Sequence, residues 1–237
     1  MLFDLRAGGR RRLVQVVYLF LALLLGGGLV FFGIGGSTSG GLFDAFREDS
    51  SQTQATEQFQ EQLDAQEKKL AANPKDAAAL AATAKLHYQI AGAGENFNTE
   101  QGRFTAKGLA ELRAAERAWA AYIATEPKKV DTGVALYMVQ AFGQAGLDKP
   151  DEAVNAMELY IDARPESSNL YAQLAVLAYT AGQSRKGDLA AKKAVSLAPE
   201  DERKTLKEQL DSAKTQALTA QAQQAQQQSG GATSIAP

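Results

Sequence analysis

Two stretches of the chain echo each other at a spacing of 34 residues. The first, Val134 to Pro165, carries Tyr137, Ala141, Ala153, Tyr160, Ile161, Ala163 and Pro165. The second, Ser168 to Pro199, carries Tyr171, Ala175, Gly187, Ala194, Val195, Leu197 and Pro199. A fixed period constrains the fold strongly, because one supersecondary unit must be used again. This one predicts two short helices and a closing proline per unit. Neither helix of such a pair buries its apolar stripe alone, so units must stack, and about three are needed for stability. Small residues at Ala141, Ala153, Ala175 and Ala194 permit close helix approach, while Tyr137, Met157, Leu174 and Val195 fill the gaps. Pro165 and Pro199 end one helix and set up the next, since proline lacks an N–H and fits a first helical turn.

The prolines locate a third, less regular unit. Pro127 closes an expected helix from Ala106 to Thr125, whose stripe is Leu109, Leu112, Ala115, Trp119, Tyr122 and Ile123. Pro74 closes an earlier helix with Phe59, Leu63 and Leu70 on one side. Pro74 and Pro127 stand 53 residues apart, so this unit carries about 19 residues more than the period. The excess is expected near 92–105, which is rich in Gly and Asn and without apolar period, and so reads as a loop.

The period, the paired helices and the closing proline resemble the tetratricopeptide repeat family over roughly residues 76–199. The resemblance implies a groove that binds a protein or peptide, lined by the first helix of each pair. Carried over residue by residue, that concave face implicates Lys85, Tyr88, Gln89, Met138, Phe142, Asn169, Ala172, Val176 and Tyr179. Such a surface of Tyr, Phe and Met suits an apolar or helical segment; the competing reading packs some of these residues into the core or against a neighbouring copy. Members that clamp a C-terminal carboxylate use Lys and Asn in slots that here hold Ala81, Met138, Phe142 and Ala172, so that mode is not expected. The Val134 unit departs from the pattern at Gln140 and Gln144, where apolar residues belong. Sliding by one residue buries Leu136 and Val139 instead but misplaces Pro165. A helix is predicted from Asp131 to Gly146, with its rotation left open.

Residues 13–35 bear no charge and only one strongly polar side chain, Gln15. As a helix rising about 1.5 Å per residue, they reach roughly 35 Å, enough for a hydrocarbon core of about 30 Å. Arg6, Arg10, Arg11 and Arg12 precede the run; Asp44, Glu48 and Asp49 follow it with only Arg47. The basic flank marks the cytoplasmic side. The expectation is a single-pass protein of a bacterial cytoplasmic membrane, with its basic tail 1–12 inside and everything after about Ser37 outside. A cleaved signal peptide is the competing reading. The run is longer than an ordinary signal core and no small-x-small site ends it, which favours a retained anchor. Its glycines are ordinary for a membrane helix or form a close-packing face for another one.

Residues 36–54 read as a Gly/Ser-rich linker; Leu42, Phe43 and Phe46 suit either a membrane interface or the start of the first helix. The helical domain is expected over 55–220. After Pro199 a capping helix is predicted, opened by Glu200, Asp201 and Glu202 and striped by Leu206, Leu210, Ala213 and Ala217. The Gln-rich tail 221–237 is expected to be disordered.

The chain holds 25 Lys and Arg against 27 Asp and Glu. Setting aside Asp4 and the four arginines of the tail leaves 21 basic and 26 acidic residues, a net charge of −5 that argues against nucleic-acid binding. There is no cysteine and one histidine, His87, so zinc sites and Cys/His nucleophiles are excluded by count. No phosphate-binding glycine loop occurs. Ser212 and Lys214 stand two apart on a predicted helix and do not face each other. Trp119 and His87 read as packing residues. No catalytic, metal or cofactor site is expected, and the chain is not expected to be an enzyme.

The fold class expected is all-α: one N-terminal transmembrane helix, then an α-solenoid of about three helical hairpins with a C-terminal capping helix. In layout, the chain resembles the ancillary tetratricopeptide subunit of the bacterial Sec translocon. That resemblance implies a scaffold or chaperone-like adaptor for translocated proteins, with the translocon or another envelope complex as partner. The alternative is a structural subunit of an envelope assembly machine such as a pilus, secretion or cell-wall complex.

Overall fold

A computed structural model describes residues 49–230, with side chains described over 56–226. The chain divides into two compact units, Met1–Ala55 and Thr56–Pro237; of the first, only the opening turns of a helix are described. The expected membrane span at 13–35, its basic tail and the apolar residues Leu42, Phe43 and Phe46 lie outside the described residues. Among the described residues no helix is long and apolar enough to cross a membrane.

The described part is all-α apart from one short hairpin. Helix α1 is Asp49–Ala72, α2 Ala77–Ala91, α3 Ala106–Ile123, α4 Thr132–Ala141, α5 Pro150–Asp162, α6 Ser168–Thr180, α7 Ser184–Leu197 and α8 Arg203–Gly230. Helix α2 packs against α3, α4 against α5, and α6 against α7. Between pairs, α4 meets α2 and α3, α5 meets α6, and α8 lies against both α6 and α7. The core runs through these seams in Leu112, Ala115, Met138, Phe142, Val154, Met157, Ala175 and Ala194, all 2% exposed or less. Fully burying one such larger apolar side chain contributes about 1.5–3 kcal/mol.

The helix starts are written locally. Asp76 accepts a hydrogen bond from the Ala79 N–H, Thr105 from Gly108 and Asp131 from both Gly133 and Val134. Each side chain satisfies a backbone donor that the first turn leaves open. Pro150 opens α5 with Asp151 and Glu152 behind it, a placement that suits the positive end of the helix.

Several boundaries differ from the sequence expectation. Helix α1 begins at Asp49, inside the stretch assigned to a linker, and buries Leu63 with Leu86 and Ile90 while Phe59 packs alongside. Helix α4 stops at Ala141 rather than Gly146, because the following loop folds back onto its end. The N–H groups of Gly143, Leu147 and Lys149 donate to the carbonyls of Gln140, Ala141 and Phe142. A side chain at Gly146 would stand 2.3 Å from the Ala141 oxygen, so only glycine lets the loop close this tightly. Helix α8 continues past Gln221 to Gly230, where disorder is expected. Ala and Gln are good helix formers, and the Gln221 amide donates to the Tyr179 carbonyl at 2.8 Å, tying α8 to the end of α6.

The insertion between α2 and α3 is more than a loop. Gly94–Asn96 forms a 3₁₀ turn, and Phe97–Asn98 pairs antiparallel with Arg103–Phe104. The two Phe rings meet edge to face at 5.1 Å. Asn96 anchors the hairpin to both helices: its amide donates to the Ile90 carbonyl, and its own carbonyl accepts from Thr105 N–H.

Candidate functional site

The nine residues implicated for a concave face separate on folding. Lys85 is exposed, and Tyr88 and Gln89 are half-buried on α2. Asn169 and Val176 are exposed on α6, and Ala172 is half-buried. Met138, Phe142 and Tyr179 are interior residues, which corrects their assignment to an open face.

The physical reason lies in the rotation of α4. Val134, Ala135, Met138 and Val139 face inward, with Phe142 following at the helix end. That rotation places Tyr137 and Gln140 on the seam with α2. The rings of Tyr88 and Tyr137 stack at 4.7 Å, and Tyr88 donates its hydroxyl hydrogen to Gln140 Oε1 at 2.6 Å. The misfit glutamine therefore serves as acceptor for a tyrosine on the neighbouring pair. Burial, with the neighbouring Tyr137 second, pushes the Tyr88 hydroxyl well above its ordinary pKa. Tyr88→Phe should cost about 1 kcal/mol. Thermal melting should show a fall of about 2–4 °C; an unchanged melt would mean the bond contributes nothing.

Tyr179 is held differently. Its ring fills the space over Gly187, where an added Cβ would lie 2.4 Å from two ring carbons. Its hydroxyl donates to Asp188 Oδ1 at 3.0 Å, and Lys214 of α8 pairs with the same carboxylate at 2.7 Å. Lys214, then Tyr179, hold Asp188 below the usual carboxylate range. Trp119 is buried beside Tyr122, as its place in the stripe predicts. His87 Nδ1 lies 2.7 Å from Glu111 Oε2, bridging α2 and α3. Among the described residues no group of three or more His, Cys, Asp or Glu could hold a metal ion.

A surface that sequence reasoning did not single out lies between α5, α6 and α7. A cleft of ≈ 740 Å³ is lined by Tyr171, Leu174, Leu189 and Ala190, with Glu158 and the first turn of α7 at its edge. A smaller cleft of ≈ 450 Å³ adjoins it, sharing Glu158, Tyr171 and Leu174 and lined also by Ile161 and Asp162. Lys186 of α7 reaches Glu158 of α5 at 2.8 Å across the groove. Lys193 sits 5.8 Å from the Tyr171 ring centre and pairs with Glu166 at 2.7 Å, a contact that raises its pKa. Leu189, at the cleft, is 63% exposed. Its sequence signal was present: Leu189 falls off the buried stripe Gly187, Ala190 and Ala194 of its helix.

The arrangement offers an apolar floor with ion-paired walls. No family model, curated protein or solved structure matches the chain.

Proposed function

We propose that this chain is a membrane-anchored, extracytoplasmic tetratricopeptide-like protein that holds a protein partner as a scaffold or chaperone-like adaptor for translocated proteins. The observation that carries the reading is the open groove across α5, α6 and α7, with apolar Tyr171, Leu174 and the exposed Leu189 inside a charged rim. A concave, mostly apolar lining with a few polar groups at its edge is how side-chain recognition sites are commonly built. The succession of helix pairs, with the 34-residue echo falling on α4–α5 and α6–α7, supports the repeat reading. Asn169 and Val176, both exposed on α6, supply a second open face that a partner can share. The uncharged run 13–35, with arginines before it and acids after it, supports the anchor and its orientation.

Chemical crosslinking in intact membranes tests this role. Adducts with exported chains or with translocon subunits are the expected result. A single fixed, stoichiometric partner would instead favour a structural subunit of an envelope machine, and a purified chain with hydrolytic or transfer activity would sink the binding role.

A further inference from the structure

Most charged groups around the groove face one another. Three side-chain bridges join α5, and the turn after it, to α7 and the residue before it. The Gln183 amide donates to Asp151 in the first turn of α5. Lys186 pairs with Glu158 farther along that helix, and Lys193 pairs with Glu166 beyond its end. The bridges keep the same order along both elements, so they tie one wall to the other like rungs. Both signs stand at each end: Asp151 with Arg185 at one, and Asp162 and Glu166 with Lys193 at the other. The apolar lining is Tyr171, Leu174, Leu189 and Ala190, with Leu189 open to solvent.

We infer that the groove takes an uncharged apolar stretch of another polypeptide, of the kind that a folded protein keeps inside and an unfolded one exposes. This rests on the protein-binding reading and adds the state of the partner that it selects. Charge complementarity argues for a neutral occupant. A charged residue brought against Leu189 and Tyr171 loses hydration, and the acids and bases around it already have partners, so little offsets that loss. With both signs at each end, no field favours a cation or an anion, whichever way the segment runs. A large apolar side chain meets no such cost and gains by leaving water. Selection is therefore by apolarity and not by charge pattern, and salt, which screens charges, should matter little.

The test uses the full chain and labelled decapeptides read by fluorescence anisotropy. The first is Ser-Gly-Ser-Leu-Phe-Leu-Leu-Ser-Gly-Ser; two others carry Asp or Lys in place of Phe. The neutral peptide should bind, and either charged residue should weaken it by at least about tenfold. Raising salt from about 0.05 M to about 0.5 M should leave the neutral peptide's affinity within about twofold. Leu189→Asp should weaken it by at least about tenfold. Leu189 is exposed, so that variant should keep the wild-type melting temperature. Equal or tighter binding of a charged peptide, a steep loss with salt, or full binding by Leu189→Asp would overturn the inference. Peptide binding lost in Val176→Asp but kept in Leu189→Asp would also overturn it, while leaving a protein-binding face on α6. A dimer that Leu189→Asp dissociates would assign the groove to a second copy and overturn it as well. Failure of the neutral peptide to bind, with partner adducts still formed in wild-type membranes, would overturn it and leave the protein-binding reading standing. Loss of all such adducts is the separate result that would remove that reading itself.

Discussion

Phe142→Ala is expected to lower the melting temperature by roughly 10–15 °C, with partner binding unchanged wherever the protein remains folded. Phe142 is 2% exposed and sits at the end of α4, under the loop whose Lys149 N–H donates to its carbonyl. Truncating a buried Phe costs about 3–5 kcal/mol, from lost transfer energy and the cavity left behind. In a domain of this size each kcal/mol moves the melting point by about 2–4 °C. Tyr179→Ala should act in the same direction, since it empties the space over Gly187 and breaks the hydrogen bond to Asp188. A face residue would behave in the opposite way, with a near-constant melt and weakened capture of partners. That outcome for Phe142 would restore it to an open groove and contradict the rotation of α4.

Gly108→Ala should be destabilising by about 3 kcal/mol, although alanine is favoured over glycine in a helix by about 1 kcal/mol. Two steric effects oppose that propensity. A Cβ at Gly108 would stand 2.1 Å from the Asn96 carbonyl oxygen and 3.0 Å from that of Ala91. Both are backbone atoms, so no rotamer change relieves the clash. The substitution must push the 97–104 hairpin off α3, and Asn96 then loses its hold on Ile90 and Thr105. Hydrogen exchange should show lost protection at Thr105 and Asn96 together with a lower melting point. A raised melting point would show that the hairpin does not seat on α3.

The positions of the helix pairs were legible because proline and the 34-residue echo are local signals. The caps at Asp76, Thr105 and Asp131 are local too, each bonding an N–H two or three residues on, but the sequence reading did not name them. The rotation of α4 was not, because the acceptor role of Gln140 depends on Tyr88, 52 residues earlier in the chain. Composition gave no sign that Gln221, at the start of the Gln-rich run, donates to the Tyr179 carbonyl at the end of α6, beside the Gly182 N–H. In the insertion, Phe97 and Phe104 meet across a short turn and leave no alternating pattern to read. The groove arises between helices of successive pairs. Only Leu189, an aliphatic residue on the polar side of α7, hinted at it in one dimension.

The absence of cysteine permits one measurement that tests display and partner binding together. A single cysteine is placed at Val176 or Leu189, both exposed, and spheroplasts are treated with a membrane-impermeant reagent joining a thiol to a nearby amine. The expected result is labelling without lysis and a covalent adduct carrying a second polypeptide. Labelling only after lysis would contradict the extracytoplasmic placement, and labelling from both positions with no polypeptide adduct would contradict the scaffold role.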